Sequence, residues 1–436
     1  MIKIFKNIFL VSFILASGAA VAQTTSSSPY SQFGMGILRG PFLPQNRAMG
    51  NISAGVKHIG IYNNINMANP ASYANVRMTT FDIGAFTGLT QLSNSTTKQG
   101  SNFNGSLSHI AFAIPVTKKS AMSFGLLPYS DFGYKYRNTT SVTVGGTAIP
   151  ANLTYSGNGG ISKAYLGYGF QLGKHINIGA NGSFLFGKLA ESSATEFANT
   201  DGTFLNSRTE KRNSISGLNF DYGIQYTVNP TAKNRLTIGY SGSSGNKISS
   251  RLSSLTTRYG VNSQGEESAA FDTTFFQQNA KSDLKLPSAH TIGFTFENSN
   301  KWLLGADLVL RQWSDYRLGA TNPGMQNSIG LNVGGQYTPD VTAISSKYLS
   351  LIDYRLGIRY EKTGINLKST DILDRALTFG FGFPLQSART AFYKINFSTE
   401  LGQRGTTQNN LIRERYVNFS LGFTLNDQWF QKFKFD

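Results

Sequence analysis

The chain has 436 residues, with 40 Lys+Arg, 23 Asp+Glu, a formal charge of +17 and no cysteine. The missing cysteine excludes disulfides, thiolate metal sites and a lipid-modified N-terminal cysteine. Only 14% of residues are charged, 13% are aromatic and 46 are glycine, which excludes a disordered chain and leaves either several soluble domains or one large β-barrel.

At the start, Lys3 and Lys6 precede the apolar run Ile8 to Leu15, and Ala20-Val21-Ala22 supplies small residues ahead of Gln23. A short cationic region, a compact apolar centre and a small-residue end predict a secretory signal peptide over residues 1–22. Its removal takes two lysines away and lowers the formal charge from +17 to +15. No later stretch approaches roughly 18 uninterrupted apolar residues, so no transmembrane helix is expected.

Residues 23–78 do not alternate. They include Ser28-Pro29-Tyr30-Ser31-Gln32-Phe33-Gly34-Met35-Gly36, then Ala48-Met49-Gly50, then Asn69-Pro70-Ala71. Such a segment either hangs free or fills a barrel. Ile52, Val56, Ile59, Ile61, Ile65 and Met67 are apolar enough to pack inside a lumen, and this favours a plug.

From residue 79 the period is two. Leu218, Phe220, Tyr222, Ile224, Tyr226 and Val228 alternate with Asn219, Asp221, Gly223, Gln225 and Thr227, and Tyr354, Leu356, Ile358 and Tyr360 alternate with Arg355, Gly357 and Arg359. Fourteen alternating segments are expected, at 81–90, 105–114, 121–136, 162–172, 176–187, 216–228, 235–242, 289–296, 302–312, 352–361, 363–368, 376–383, 392–401 and 414–425. The shortness of 363–368 leaves the count at twelve or fourteen. A soluble sandwich would also alternate, but its strands are about half as long. Here the polar face is rich in Gly and Asn and the apolar face carries aromatics near strand ends, as a membrane barrel requires. Short connections are expected at 115–120, 173–175, 229–234, 297–301 and 384–391. Long ones are expected at 91–104, 137–161, 188–215, 243–288 and 313–351, which reads as periplasmic turns and external loops. The fold class is therefore all-β: a transmembrane antiparallel barrel of about fourteen strands over 79–425, with an N-terminal hatch or plug over 23–78 and a C-terminal periplasmic tail over 426–436.

Catalysis finds little support. His58, His109, His175 and His290 are scattered, and there is no Gly-x-Ser-x-Gly elbow or His-Glu-x-x-His helix. Lumen-facing His109, beside outward Ile110 and Phe112, leaves a Ser/His hydrolase conceivable, against the plainer reading of a lumen histidine held by its neighbours. No enzyme, metal or cofactor is expected. Dispersed Lys and Arg together with export argue against nucleic acid. Lys247, Arg251, Arg258 and Arg317 read as solvated loop charge or as contacts to lipid phosphate. By parity Asp221, Asp307, Arg311, Asp353, Arg355, Arg359, Lys394 and Glu400 face the lumen, where buried charges must be paired or wet. They are candidate contacts to the hatch, and loss of Arg355 or Asp307 is expected to loosen it.

The run from Ala48-Met49-Gly50 to the hatch motif Asn69-Pro70-Ala71, leading directly into the first strand, resembles the FadL-like family of outer-membrane transporters. Leu286-Pro287-Ser288-Ala289-His290-Thr291-Ile292-Gly293 and Trp313-Ser314-Asp315-Tyr316 are similar to further family segments. The resemblance implies a Gram-negative outer-membrane location and a hatch plugging a fourteen-strand barrel. It also implies passive uptake of a hydrophobic small molecule, with hatch movement and lateral exit through the wall. Partners would be outer-membrane lipid and lipopolysaccharide and a hydrophobic ligand. The loops 188–215 and 243–288 are polar, however, and show no apolar helix for external capture. The alternative is a non-transporting accessory barrel with protein partners, in a secretion or assembly complex of the type IX kind.

Overall fold

The computed structural model describes residues 28–57, 63–95, 98–144, 146–197, 204–262, 266–298, 301–319, 321, 323–343, 345–385 and 391–429. The expected signal peptide, residues 1–22, lies outside them, as do 23–27 and 430–436.

Fourteen strands form one closed antiparallel barrel. They are β1 (Thr79–Ser93), β2 (Lys98–Thr117), β3 (Ser120–Val144), β4 (Thr147–Leu172), β5 (Ile176–Phe197), β6 (Asn206–Val228), β7 (Asn234–Ser243), β8 (Ala289–Asn298), β9 (Trp302–Arg311), β10 (Ser328–Tyr337), β11 (Asp353–Leu367), β12 (Thr370–Leu385), β13 (Phe392–Arg404) and β14 (Arg413–Asp427). β14 pairs with β1 from Arg413↔Ser93 to Asp427↔Thr79, so the sheet closes on itself. Thr79 and Asp427 meet at the same end of the cylinder, here the terminal end. Among the described residues no helix is long and apolar enough to cross a membrane.

Burial is inverted relative to a soluble protein. In β6, Leu218 is 57% and Phe220 52% exposed, while Asn219 and Gln225 are buried at 1% and 0%. Each exposed large apolar side chain in water forfeits about 1.5–3 kcal/mol, and the wall carries them on nearly every strand, so this surface belongs in lipid.

Three expectations about segments change. Ser328–Tyr337 is a strand, although the sequence reading placed it inside a loop at 313–351. Its glycines Gly330, Gly334 and Gly335 weaken the strand signal, yet Gly334 faces inward where the backbone of Met49 lies against it. The segments 352–361 and 363–368 are one strand, β11, with a register irregularity between Lys362 and Asn366. These two errors cancel in the count. Finally, the stretches 137–161 and 188–215 are not loops but long continuations of strands. β3 and β4 remain paired as far as Val144↔Thr147, and β5 and β6 as far as Thr195↔Ser207. The stretch 243–288 likewise contains a hairpin, Lys247–Tyr259 with Asp272–Lys285, which pairs with the far end of β6. Polar Ser, Thr and Asn on these extensions look like loop residues because they stand above the lipid, where no apolar face is needed.

Candidate functional site

The N-terminal segment occupies the inward face of the barrel. Its backbone is irregular, and a buried irregular backbone must find partners for its N–H and C=O groups. The wall supplies them. Asp307 of β9 accepts from the N–H of Ser53 at 2.6 Å and of Ala54 at 3.0 Å. Thr378 of β12 accepts from Gly50 N–H at 2.9 Å and donates to the Ala48 carbonyl at 3.0 Å. Thr295 of β8 donates to the Gly55 carbonyl at 2.8 Å, and Gln225 of β6 donates to the Ala54 and Val56 carbonyls at 2.9 and 3.2 Å. Thr378, Thr295 and Gln225 were not singled out from sequence, although their inward parity beside glycine was a usable signal.

The Asn69-Pro70-Ala71 motif opens the 3-10 helix Pro70–Asn75. Asn69 Oδ1 accepts from Ala71 N–H at 3.1 Å and its Nδ2 donates to the Ala54 carbonyl at 2.7 Å, tying the middle of the hatch to its last turn. Wall glycines make this approach feasible: a Cβ on Gly239 would collide with the Ala54 carbonyl, and one on Gly223 with Asn69 Oδ1.

The lumen charges divide into separate groups. Near the terminal end Arg355 donates to Asp353 at 2.6 Å, Gln336 at 2.6 Å and Asn396 at 2.9 Å, while Lys394 pairs with the same Asp353. This cluster stitches β10, β11 and β13 together, and the three Arg355 hydrogen bonds all end on wall residues. Higher in the lumen Asp374 receives Arg404 at 2.8 Å, Tyr416 at 2.6 Å and Arg359 at 3.8 Å. Glu400 faces Arg47 of the hatch at 3.7 Å, and Ser28 donates to Glu414. Arg311 pairs with Glu361 at 2.8 Å and Asp221 with Lys163 at 2.5 Å. Asp374, Arg404, Glu414 and Arg47 were missed. Asp374 and Arg404 lie just outside the predicted strand limits, and Arg47 is on the hatch, where no parity applies.

Two adjoining chambers lie between hatch and wall. One, of about 220 Å3, is lined by Phe33, Phe42, Phe86, Trp313 and Met325 together with the Asp374 charge group. The other, of about 130 Å3, is lined by Pro41, Phe42, Met67, Leu127, Pro128 and Tyr129. Leu38, Gly40 and Phe42 border both and form the partition.

The wall beside them has a seam. β2 and β3 pair only between Thr117↔Ser120 and Ile110↔Leu126, whereas β2 continues along β1 to Lys98 and β3 along β4 to Val144. A register shift at Pro128/Ser130 accompanies the split, and residues 130–133 are all buried, so β3 bends inward. The hatch takes the vacated edge: Ile37 and Leu38 pair with Asp131 and Ser130, and Arg39 N–H donates to the Tyr129 carbonyl at 3.0 Å. On the β2 side Phe103 and Leu107 are exposed, which puts the seam within the apolar belt.

Among the described residues the histidines do not converge. His58 lies outside the described residues. His109 Nε2 meets Asp82 at 2.6 Å and its Nδ1 meets Ser108 at 3.2 Å, but the ring is 1% exposed and Ser108 is simply its chain neighbour. Thr424 also donates to Asp82, at 2.5 Å, so the group ties β14, β1 and β2 together. His290 contacts Tyr240 at 2.8 Å, and His175 lies 2.9 Å from the Thr227 carbonyl.

The fold is shared with known structures at low identity. The toluene transporter TodX of P. putida is 14% identical with a TM-score of 0.55, over 91% of this chain and 100% of that one. A Pseudomonas aeruginosa FadL homologue is 13% identical with a TM-score of 0.55, over 89% and 98%. The toluene transporter TbuX of Ralstonia pickettii is 13% identical with a TM-score of 0.54, over 90% and 99%. TodX and TbuX are described as toluene transporters. No curated protein matches in sequence. The fold is thus a FadL-like barrel, and because the BamG family model matches residues 1–436, the chain belongs to the BamG family.

Proposed function

We propose that the chain is exported on its 1–22 signal peptide, inserts into the outer membrane of a Gram-negative cell, and passively admits small hydrophobic molecules. The terminal end then faces the periplasm, on the side where β14 ends at Asp427, while residues 23–78 act as the hatch. The observation that carries this reading is the pair of partly apolar chambers lying directly behind the β2–β3 seam. A dry cavity of about 150 Å3 holds a benzene ring, so a chamber of about 220 Å3 suits a single-ring hydrocarbon and is too small for an extended long-chain lipid. The transporters of similar fold are described as carrying toluene, which agrees with that size.

The route would run from the long-hairpin end into the first chamber, past Phe42 into the second, and out through the seam once residues 37–39 leave the edge of β3. No energy source is needed, because movement follows the gradient of the solute. The experiment is accumulation of radiolabelled toluene by intact Gram-negative cells, with and without the chain. Faster entry with the chain, saturating and lost when Phe42→Trp fills the chamber, is expected. Equal entry in both cells would refute it.

A second reading, a non-transporting accessory barrel of an outer-membrane assembly or secretion complex, is favoured by a different observation. Phe271, Phe275 and Phe276 on the protruding 247–285 hairpin are 64%, 51% and 66% exposed, above the belt where no lipid covers them. Purification in mild detergent discriminates: a stoichiometric protein partner supports this reading, and a monodisperse barrel with a bound apolar molecule supports the first.

A further inference from the structure

The outer surface of the wall carries a two-row pattern on one side only of the partnered strands β11 to β14 and β1. Ile358, Leu377, Leu401, Val417 and Leu89 are consecutive cross-strand partners and form an aliphatic row. Two residues further along each strand, toward the hairpin end, the partners are Tyr360, Arg375, Gln403, Arg415 and Gln91. Because two residues separate the rows, every one of these side chains points outward with its aliphatic neighbour. The row therefore marks the level at which the lipid belt gives way to headgroups. A groove of about 580 Å3 lies along it, lined by Ile358, Leu377 and Leu401 below and by Tyr360, Arg375 and Arg415 above.

From this we infer that the β11–β14 face holds a phosphorylated lipid of the outer leaflet, with its phosphate on Arg375 and Arg415 and its acyl chains along the aliphatic row. Charge complementarity carries the assignment. Arg375 lies over the Tyr360 ring at 5.8 Å, and among the described residues neither Arg375 nor Arg415 forms an ion pair with a carboxylate. The two arginines stand two strands apart, roughly 10 Å along the sheet, with the Gln403 amide between them. Flexible guanidinium forks at that spacing can share one phosphate or take two, and such forks bind phosphate oxygens in bidentate fashion. The cations that the sequence suggested for this role are placed elsewhere. Arg251 and Arg258 are on the protruding hairpin, Arg258 is 3.7 Å from Asp272, and Arg317 donates to the Ser314 and Tyr316 carbonyls. The site is independent of whether the lumen conducts a solute.

The test is native mass spectrometry of the full mature chain released from nanodiscs that contain phosphatidylcholine and a small fraction of diphosphoryl lipid A. The unmutated chain is expected to retain lipid A, and Arg375→Gln/Arg415→Gln to reduce retention at least tenfold, with the folded gel mobility of the barrel unchanged. In parallel, the chain has no cysteine, so Gln403→Cys can carry a single bimane without altering either arginine. Its quenching by headgroup-spin-labelled lipid is expected to fall when diphosphoryl lipid A is added, and not when dephosphorylated lipid A is added. This second readout stands even if the double variant fails to insert. Equal retention by the double variant, or equal displacement by the dephosphorylated lipid, would overturn the assignment.

Discussion

One carboxylate oxygen of Asp307 receives the backbone N–H groups of both Ser53 and Ala54, across 254 and 253 residues of sequence. A single wall side chain thus closes a turn of the hatch. Substituting Asp307 by Ala leaves two buried donors without partners, at about 1–3 kcal/mol each. Ser53→Cys, in the cysteine-free background, should then react with a small maleimide at least tenfold faster in Asp307→Ala than in the otherwise unmutated chain. Equal labelling rates would show that the hatch is held elsewhere.

Arg355 is expected to behave differently, although it shares the same inward parity. Its donors go to Asp353, Gln336 and Asn396, all on the wall. Arg355→Ala leaves Asp353 with Lys394 and the Thr338 hydroxyl, a loss of the order of 3–5 kcal/mol for a broken buried pair. The expected outcome is a lower temperature for loss of folded gel mobility, with Ser53→Cys labelling below that temperature unchanged.

The close approach of hatch to wall predicts a steric contrast between two glycines. Gly239→Val would drive a side chain into the Ala54 carbonyl, whereas Gly182 has nothing within 4 Å of its missing Cβ. In planar bilayers Gly239→Val should raise channel conductance by displacing the hatch, and Gly182→Val should leave it as it was.

Phe42 borders both chambers, so Phe42→Ala should merge them into one space. Uptake by cells should then extend to hydrocarbons of two fused rings, with single-ring uptake maintained. If two-ring compounds remain excluded, the partition is not what limits solute size.

The alternation in β6 and β11 was readable because it needs only neighbours in the chain: each second residue meets lipid whatever the rest of the barrel does. β10 escaped notice because three glycines interrupt its period, and one of them, Gly334, answers to the hatch backbone at Met49, far earlier in the chain, while glycine by itself signals a break rather than a contact. The extensions of β3 to β6 beyond the membrane were invisible for the opposite reason. A strand surrounded by water on both faces has no apolar period to display.

Sequence by itself determined that the wall is a cylinder with one face to lipid and one to polar groups, since that property repeats locally along every strand. Only the tertiary structure decided which inward charges touch the hatch. Parity makes Asp307, Arg355 and Glu400 equivalent, but among the described residues the path of an irregular segment through the lumen reaches Asp307 through Ser53 and Glu400 through Arg47, whereas the hydrogen bonds of Arg355 end on the wall. Which strands part company at the seam was likewise a matter of register between chains of side chains far apart in sequence, and no local pattern encodes it.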